Sequence, residues 1–380
     1  MAHMGRDQKL KLNRESFLTQ YWQRKPLLIR NAVTRFRTPI SSDELAGLAL
    51  EEDVESRLIE HRQNNWHIHH GPFTEADFQR EPPWTLLVQA VDHYIPEVAA
   101  LRRLMDFIPQ WRVDDVMVSY ATDGGSVGPH FDNYDVFLLQ GEGQRLWQLG
   151  QPCDNSSALL PHEDLRILST FELSEEHLLG PGDMLYVPPG IAHWGIAQGN
   201  CTTISIGFRA PCIQDMLSRW IDQLLEALEP DQFYRDEGRT AVTRPGEISS
   251  ADLERVAAQL QSALHQAGGN RWFGELVTEP RYTPVQDIDE MASPRAILEA
   301  GPNVIELSAA AKLAWQQENE EILVFANGES RPFTASVLPS LLILCQNWRL
   351  DAADLAQAFT DSETVRLLGY LMENGVIDVQ

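Results

Sequence analysis

The sequence predicts an α+β fold in three blocks: a β-sandwich or barrel, a helical region, and a small winged-helix-like module. Three observations carry that prediction. From Trp66 to about Phe208, short runs of β-type residues are broken by Gly, Pro and Asp turns, a texture of sandwiches and barrels rather than of alternating βα units. At Pro211 the period changes: Ile213, Met216, Leu217, Trp220, Ile221, Leu224 and Leu228 fall at three- and four-residue steps and make one wide apolar stripe. Beyond a Pro-bearing linker near 280–294, short strands and three helices fill the rest of the chain.

The elements follow in order. Phe17, Leu18, Tyr21 and Trp22 sit at helical spacing over 15–23, and Pro26 stops that helix before a strand at 27–29. Ser41-Ser42-Asp43-Glu44 resembles a capping box opening a short helix at Leu45. Strands are predicted at 115–120, 136–140, 145–149, 184–187 and 202–208. Residues 230–248 read as a loop, and Ser249 to Asp252 cap a helix over 251–267 with Leu253, Val256, Leu260 and Leu264 on one face. These helices have too little company to close a core, so they pack on the barrel or pair with a second chain. Dimerisation through 213–228, with Trp220 and Leu224 in the contact, is the expectation. The third block predicts strands at 303–308, 312–316 and 321–326, a hairpin turn at Asn327-Gly328, and helices at 335–346, 352–359 and 362–374. The expected domains are 5–211, 212–290 and 291–380. Met1-Ala2-His3-Met4 reads as a cloning remnant.

A formal charge of −25 speaks against nucleic acid as the main partner, because phosphate binding needs a basic surface. The third block carries 12 acidic and 5 basic residues, so groove binding is not expected of it either. An acidic surface attracts cations and basic proteins, an attraction that salt weakens. Cys153, Cys201, Cys212 and Cys345 have no metal-binding spacing and read as buried reduced thiols, which suits the cytoplasm. No run approaches the roughly 18 apolar residues of a membrane span, and no signal peptide precedes Lys9, so no membrane association is expected.

Chemistry concentrates at His130-Phe131-Asp132 and at His193, which closes the segment Gly180-Pro181-Gly182-Asp183-Met184-Leu185-Tyr186-Val187-Pro188-Pro189-Gly190-Ile191-Ala192-His193. A His-x-Asp pair on a strand points both side chains to one face, and a distant His completes the facial triad that holds non-haem Fe(II) with open positions for O2 and a co-substrate. The competing reading makes His130 and His193 ordinary hydrogen-bonded side chains. Residues 124–129 read as a flexible approach to a pocket mouth. His67, His69 and His70 lack an acidic or Cys partner at useful spacing and read as surface histidines on a half-buried strand.

Residues 17–28, 42–49, 128–137, 180–193 and 205–211 together resemble the Jumonji-C, cupin-like 2-oxoglutarate oxygenases, and most closely the bacterial ribosomal oxygenases. The resemblance implies a jelly-roll (double-stranded β-helix) barrel, a helical dimerisation region and a C-terminal winged helix. It implies Fe(II) on His130, Asp132 and His193, with 2-oxoglutarate and O2 as co-substrates. Arg145 stands where the family places a cation for the far carboxylate of 2-oxoglutarate, and a guanidinium suits that task through paired hydrogen bonds. Ser119 and Thr203 supply hydroxyls to the same carboxylate if their strand faces point inward. For an arginyl substrate, Asp123, Tyr134 and Ser205 are the local candidates.

The activity that the resemblance implies is hydroxylation of an arginine in a large-subunit ribosomal protein, a basic partner. Two alternatives stay open: a Jumonji-type oxygenase or demethylase acting on another protein or a small molecule, and a non-catalytic cupin used for binding or scaffolding.

Overall fold

The structure, a computed structural model, describes residues 9–266, 269–282, 298 and 301–379. Met1 to Met4 and most of the 280–294 linker lie outside the described residues.

The N-terminal stretch supplies α1 (Arg14–Gln20), β1 (Leu27–Ile29) and α2 (Ser42–Leu48). Asn13 caps α1 by accepting from the Ser16 N–H. Helix α2 begins at Ser42 rather than Leu45, because Ser41 and Glu44 close a reciprocal capping box. Then come β2 (Ser56–Arg62), β3 (Asn65–His70), β4 (Trp84–Val88), α3 (Pro96–Ala99), β5 (Val113–Ala121), β6 (Val136–Gln140), β7 (Gln144–Pro152), β8 (Glu175–Leu179), β9 (Met184–Val187), β10 (Ile191–Gln198) and β11 (Cys201–Phe208). They form an eight-stranded sheet in the order β1-β9-β6-β11-β5-β4-β2-β3 and a three-stranded sheet, β10-β7-β8. Every described pairing is antiparallel, and the sandwich-or-barrel expectation resolves into a jelly roll.

The large sheet has two buried faces. Val116, Val118, Phe137, Leu139, Ile204 and Ile206 turn to a core that includes Phe17 of α1. The Phe17 ring meets Tyr186 edge-on, with centroids 4.8 Å apart. Burying one such phenylalanine contributes roughly 2–3 kcal/mol, so the N-terminal segment is fastened to the back of the sheet. Met117, Ser119, Leu138, Thr203 and Ser205, of opposite parity, line a cavity on the other face. Strand β3 is an edge of this sheet, and His67, His69 and His70 on it are exposed, as expected for surface histidines.

Past the barrel come α4 (Ile213–Ala227), α5 (Ser250–Gln266) and α6 (Arg271–Thr278). The apolar stripe of α4 is split. Leu224 is buried within its own chain and Trp220 is half-buried, whereas Ile213, Leu217, Ile221 and Leu225 stay 45–67% exposed. The expectation that Leu224 faces a partner is therefore corrected, since its own chain buries it; α4 packs on α6, where the Gln223 carboxamide accepts from the Trp272 N–H. On α5, Leu253, Val256 and Leu260 are likewise exposed. The cysteines are free thiols, but of the four only Cys201 is buried; Cys153 and Cys345 are half-buried and Cys212, just ahead of α4, is exposed.

The last block comprises β12 (Ile305–Leu307), β13 (Leu313–Glu318), β14 (Glu321–Ala326), β15 (Glu329–Thr334), α7 (Leu338–Asn347), β16 (Arg349–Leu350), α8 (Ala352–Ala358), α9 (Ser362–Glu373) and β17 (Ile377–Val379). Asn327 and Gly328 both adopt positive φ, the pair a tight hairpin needs. Sequence reading missed β15, β16 and β17: β15 carries Pro332 and polar residues, and the other two are too short to show a period. Helix α6 packs on this block at Gly274, where an added Cβ would collide with the Phe325 ring. The Lys312 ammonium, buried, donates to the backbone carbonyls of Val113 and Asp114 and so ties this block to the start of β5. Among the described residues no helix is long and apolar enough to cross a membrane.

Candidate metal centre and pocket

His130 and His193 form a reciprocal antiparallel bridge, each N–H donating to the other's carbonyl at 3.1 and 2.8 Å. His130 is thus an isolated bridge residue and Asp132 lies in the following loop, where the sequence had suggested a strand through both. The loop is held from both sides. The Gly190 N–H donates to the Asp132 carbonyl, and Gly128, at φ 83°, presses against Trp66 and Ile167. A side chain at 128 would be strained and would meet Trp66 at 3.0 Å, so the approach to His130 is packed rather than flexible.

One ligand atom from each of His130, Asp132 and His193 lies within 4.8 Å of the others. The backbone assigns the tautomers. Nδ1 of His130 lies 3.0 Å from the Gly128 carbonyl, and Nδ1 of His193 lies 3.0 Å from the Ile191 carbonyl. A carbonyl only accepts, so each Nδ1 carries the proton and each Nε2 is left as a bare donor to a metal. Complete burial, and then the neighbouring His130, push His193 down to about 4, which keeps the imidazole neutral as ligation requires. Two neutral nitrogens and one carboxylate grouped on one side fit a divalent transition metal with open positions.

The three donors line a cavity of about 330 Å³ between the two sheets. Arg145, on β7, reaches into it while only 3% exposed, and its Nε and Nη2 find no hydrogen-bond partner. A buried guanidinium left short of acceptors is the signature of a site built for an anion. Ser119 and Thr203 are cross-strand partners on β5 and β11 and face the same cavity. The Thr203 hydroxyl lies 3.3 Å from the Gln140 side-chain oxygen, and the Ser119 hydroxyl lies 3.5 Å from the Thr203 carbonyl. These residues fit a carboxylate.

The other end of the cavity is acidic. Asp114 and Asp115, at the start of β5, line it together with Tyr134, Ser205 and Arg281. Asp115 is four residues from Ser119 along the strand, roughly 13 Å at the usual rise. Its Oδ2 accepts from the Gln89 carboxamide at 2.7 Å and the Ala90 N–H at 3.2 Å, while no described residue donates to Oδ1. Burial is the main force raising its pKa. Tyr134 spans the mouth: 41% of the residue is exposed, yet its phenol is sunk beside Asp132, and burial first and that carboxylate after it hold its pKa above the ordinary value.

Asp123 is corrected. It is exposed in the turn after β5, outside the cavity lining, and its carboxylate accepts from the Gly199 N–H at 2.7 Å. The carboxylates at the acidic end of the cavity are Asp114 and Asp115, neither of which sequence reading marked as a site residue, and Asp115 is the one with an oxygen left free. The available signal was parity, since 115, 117 and 119 share a face of β5.

Residues 100–216 match the JmjC domain family, and residues 263–378 match the ROXA-like winged helix family. The chain is 34% identical over 375 residues to the ribosomal protein uL16 3-hydroxylase of Escherichia coli (strain K12), covering 97% of this chain and 98% of that protein. It is 36% identical over 334 residues to a probable ribosomal oxygenase of Haemophilus influenzae, covering 83% and 81%. The solved structure of YcfD, a ribosomal oxygenase from Escherichia coli, in complex with cobalt and 2-oxoglutarate is similar at a TM-score of 0.84 and 33% identity. That match covers 98% of this chain and 99% of the other.

Proposed function

The chain belongs to the JmjC-domain ribosomal oxygenases, and from that premise we propose that it is an Fe(II)- and 2-oxoglutarate-dependent oxygenase that hydroxylates an arginine of ribosomal protein uL16. The observation that carries this reading is the polarity of the cavity: an unsatisfied buried guanidinium at one end, a buried carboxylate with a free oxygen at the other, and three metal donors in the same lining.

When bound, iron would supply activation of O2, coupled to decarboxylation of 2-oxoglutarate and insertion of one oxygen atom into a substrate C–H bond. The protein's part is placement. Arg145 takes the far carboxylate of 2-oxoglutarate through charge-assisted hydrogen bonds, with Ser119 and Thr203 beside it. His130, Asp132 and His193 hold the metal, with the two imidazoles oriented by the Gly128 and Ile191 carbonyls. Asp115 receives the substrate guanidinium on its free oxygen, and Tyr134 and Ser205 wall the alkyl stem. Holding the guanidinium fixes which carbon meets the reacting oxygen. The formal charge of −25 draws a basic ribosomal protein toward the mouth. This work belongs in the cytoplasm, where such a protein is met before ribosome assembly.

The direct test is incubation with Fe(II), 2-oxoglutarate and unmodified uL16, followed by mass spectrometry. One arginine gaining one oxygen atom, dependent on 2-oxoglutarate, is expected; an unmodified uL16 sinks the substrate assignment. Asp115→Asn is expected to raise KM for the arginyl substrate by about tenfold to a hundredfold while leaving KM for 2-oxoglutarate near its wild-type value. A variant with unchanged substrate KM would remove Asp115 from the role.

We further propose the division of the chain into 5–211, 212–290 and 291–380, with the middle region pairing two copies through the exposed residues of α4 and α5. Leu217→Glu with Ile221→Glu is expected to give monomer by light scattering, because both side chains are nearly half exposed and neither supports the chain's own core. A double variant that remains dimeric counts against this surface.

A further inference from the structure

The acidic end of the cavity is partly occupied by the chain's own cation. After α6 the backbone turns at Glu279 and carries Arg281 to the cavity mouth, with Tyr282 next to it in the chain. Arg209, just past β11, fastens this turn: its guanidinium donates to the carbonyls of Val277 at 3.0 Å and Glu279 at 2.8 Å. The same side chain places Nε 3.5 Å from Asp114 Oδ1. Arg281 completes the arrangement with Nη1 at 3.1 Å from Asp114 Oδ2. The Tyr282 hydroxyl lies 3.4 Å from Asp115 Oδ2, and its ring meets His93 edge-on at 5.7 Å between centroids. Both oxygens of Asp114 are thereby paired, whereas Asp115 keeps Oδ1 free.

The two ends of the Arg281 ion pair differ. The Arg281 side chain is 58% exposed, and that of Asp114 is 16% exposed. The arginine can swing into water at small cost, but the carboxylate cannot leave the wall. Arg209 is 16% exposed and bound to three carbonyls, so it is a fixture. Lys312 donates to backbone beneath Asp114 rather than to its carboxylate. Arg57, another cation of the lining, donates to Gln89 at 3.2 Å. Of the two cations on Asp114, Arg281 is therefore the one that can be exchanged.

We propose that Arg281 is a specificity-determining residue: it holds the cation position on Asp114 as an internal stand-in, and a substrate reaches the acidic end only by displacing it. This inference rests on the arginine reading above. A substrate side chain must then bring a full charge on a planar fork to replace the pair it breaks. A neutral urea of the same shape leaves Asp114 Oδ2 without the cation it held, with only Arg209 remaining beside Oδ1 and nothing in return.

The test is calorimetric titration of the full-length protein with Nα-acetyl-arginine amide and, as its neutral isostere, Nα-acetyl-citrulline amide. Arg281→Ala is expected to bind the arginine probe about fivefold tighter than wild type, the scale of one largely exposed ion pair, with the citrulline probe weak throughout. Arg281→Gln, which keeps the stem, is expected to show the same shift and serves if the alanine variant folds poorly. Equal or weaker binding of the arginine probe by the folded variants overturns the proposal. The arginine reading survives that result if wild type still prefers arginine to citrulline and Asp115→Asn erases the preference. If neither wild type nor variant prefers arginine, the reading falls and the proposal falls with it.

Discussion

Asp132→Ala is expected to abolish turnover and metal retention, a loss on the order of 10³-fold or more in activity. Asp132 is the one carboxylate in the donor set, and without it two neutral imidazoles must hold a dication alone. Neither histidine can compensate, because the Gly128 and Ile191 carbonyls fix both rings. The fold should be nearly untouched. The Asp132 side chain lies 3.6 Å from His193, too long for a strong pair, and the loop is held through its backbone carbonyl. Stability should stay within about 1 kcal/mol of wild type. Metal content by elemental analysis and succinate release from 2-oxoglutarate are the measurements. A variant that keeps its metal and its turnover would falsify the assignment of the centre.

Arg145→Met is expected to weaken 2-oxoglutarate by about a hundredfold or more, while leaving the protein without its co-substrate as stable as before or more so. The sign follows from burial. An unpaired charge in an apolar surround costs several kcal/mol, and losing the partner of a buried pair costs about as much. Arg145 is 3% exposed and its Nε and Nη2 have no acceptor within the protein, so an incoming carboxylate supplies the partner that methionine does not need. Methionine fills similar space without the charge. Two readouts separate the effects: KM for 2-oxoglutarate should rise, and the rise in Tm that 2-oxoglutarate confers on wild type should vanish. An equal Tm gain in both proteins would show that the anion binds elsewhere.

Much of this was legible because it is local. The capping box at Ser41, the strand at 184–187 after its Pro-Gly-Asp turn, and the hairpin at Asn327-Gly328 each depend on residues a few positions apart. The His-x-Asp pair and His193 were found by residue type and spacing. What failed was long-range. Leu224 looks like the middle of an open stripe, but it is buried within its own chain on a helix that packs on α6, and sequence periodicity cannot tell a covered face from an open one.

The sequence by itself determined the donor set, the order of the blocks and the chemical types available near the metal. Which face of β11 looks into the site was left to the tertiary structure, because nearly every residue of that strand is buried. A strand buried on both sides shows no polar–apolar alternation to read. Register across β5 then brings Ser119 beside Thr203 and sets Asp115 in the cavity, while the turn beyond β5 carries Asp123 out to Gly199. Arg281 enters the same cavity only because Arg209 and α6 bring a distant turn to its mouth. Local physics selects turns, caps and ligand types; which carboxylate meets the substrate is decided by packing between segments far apart in the chain.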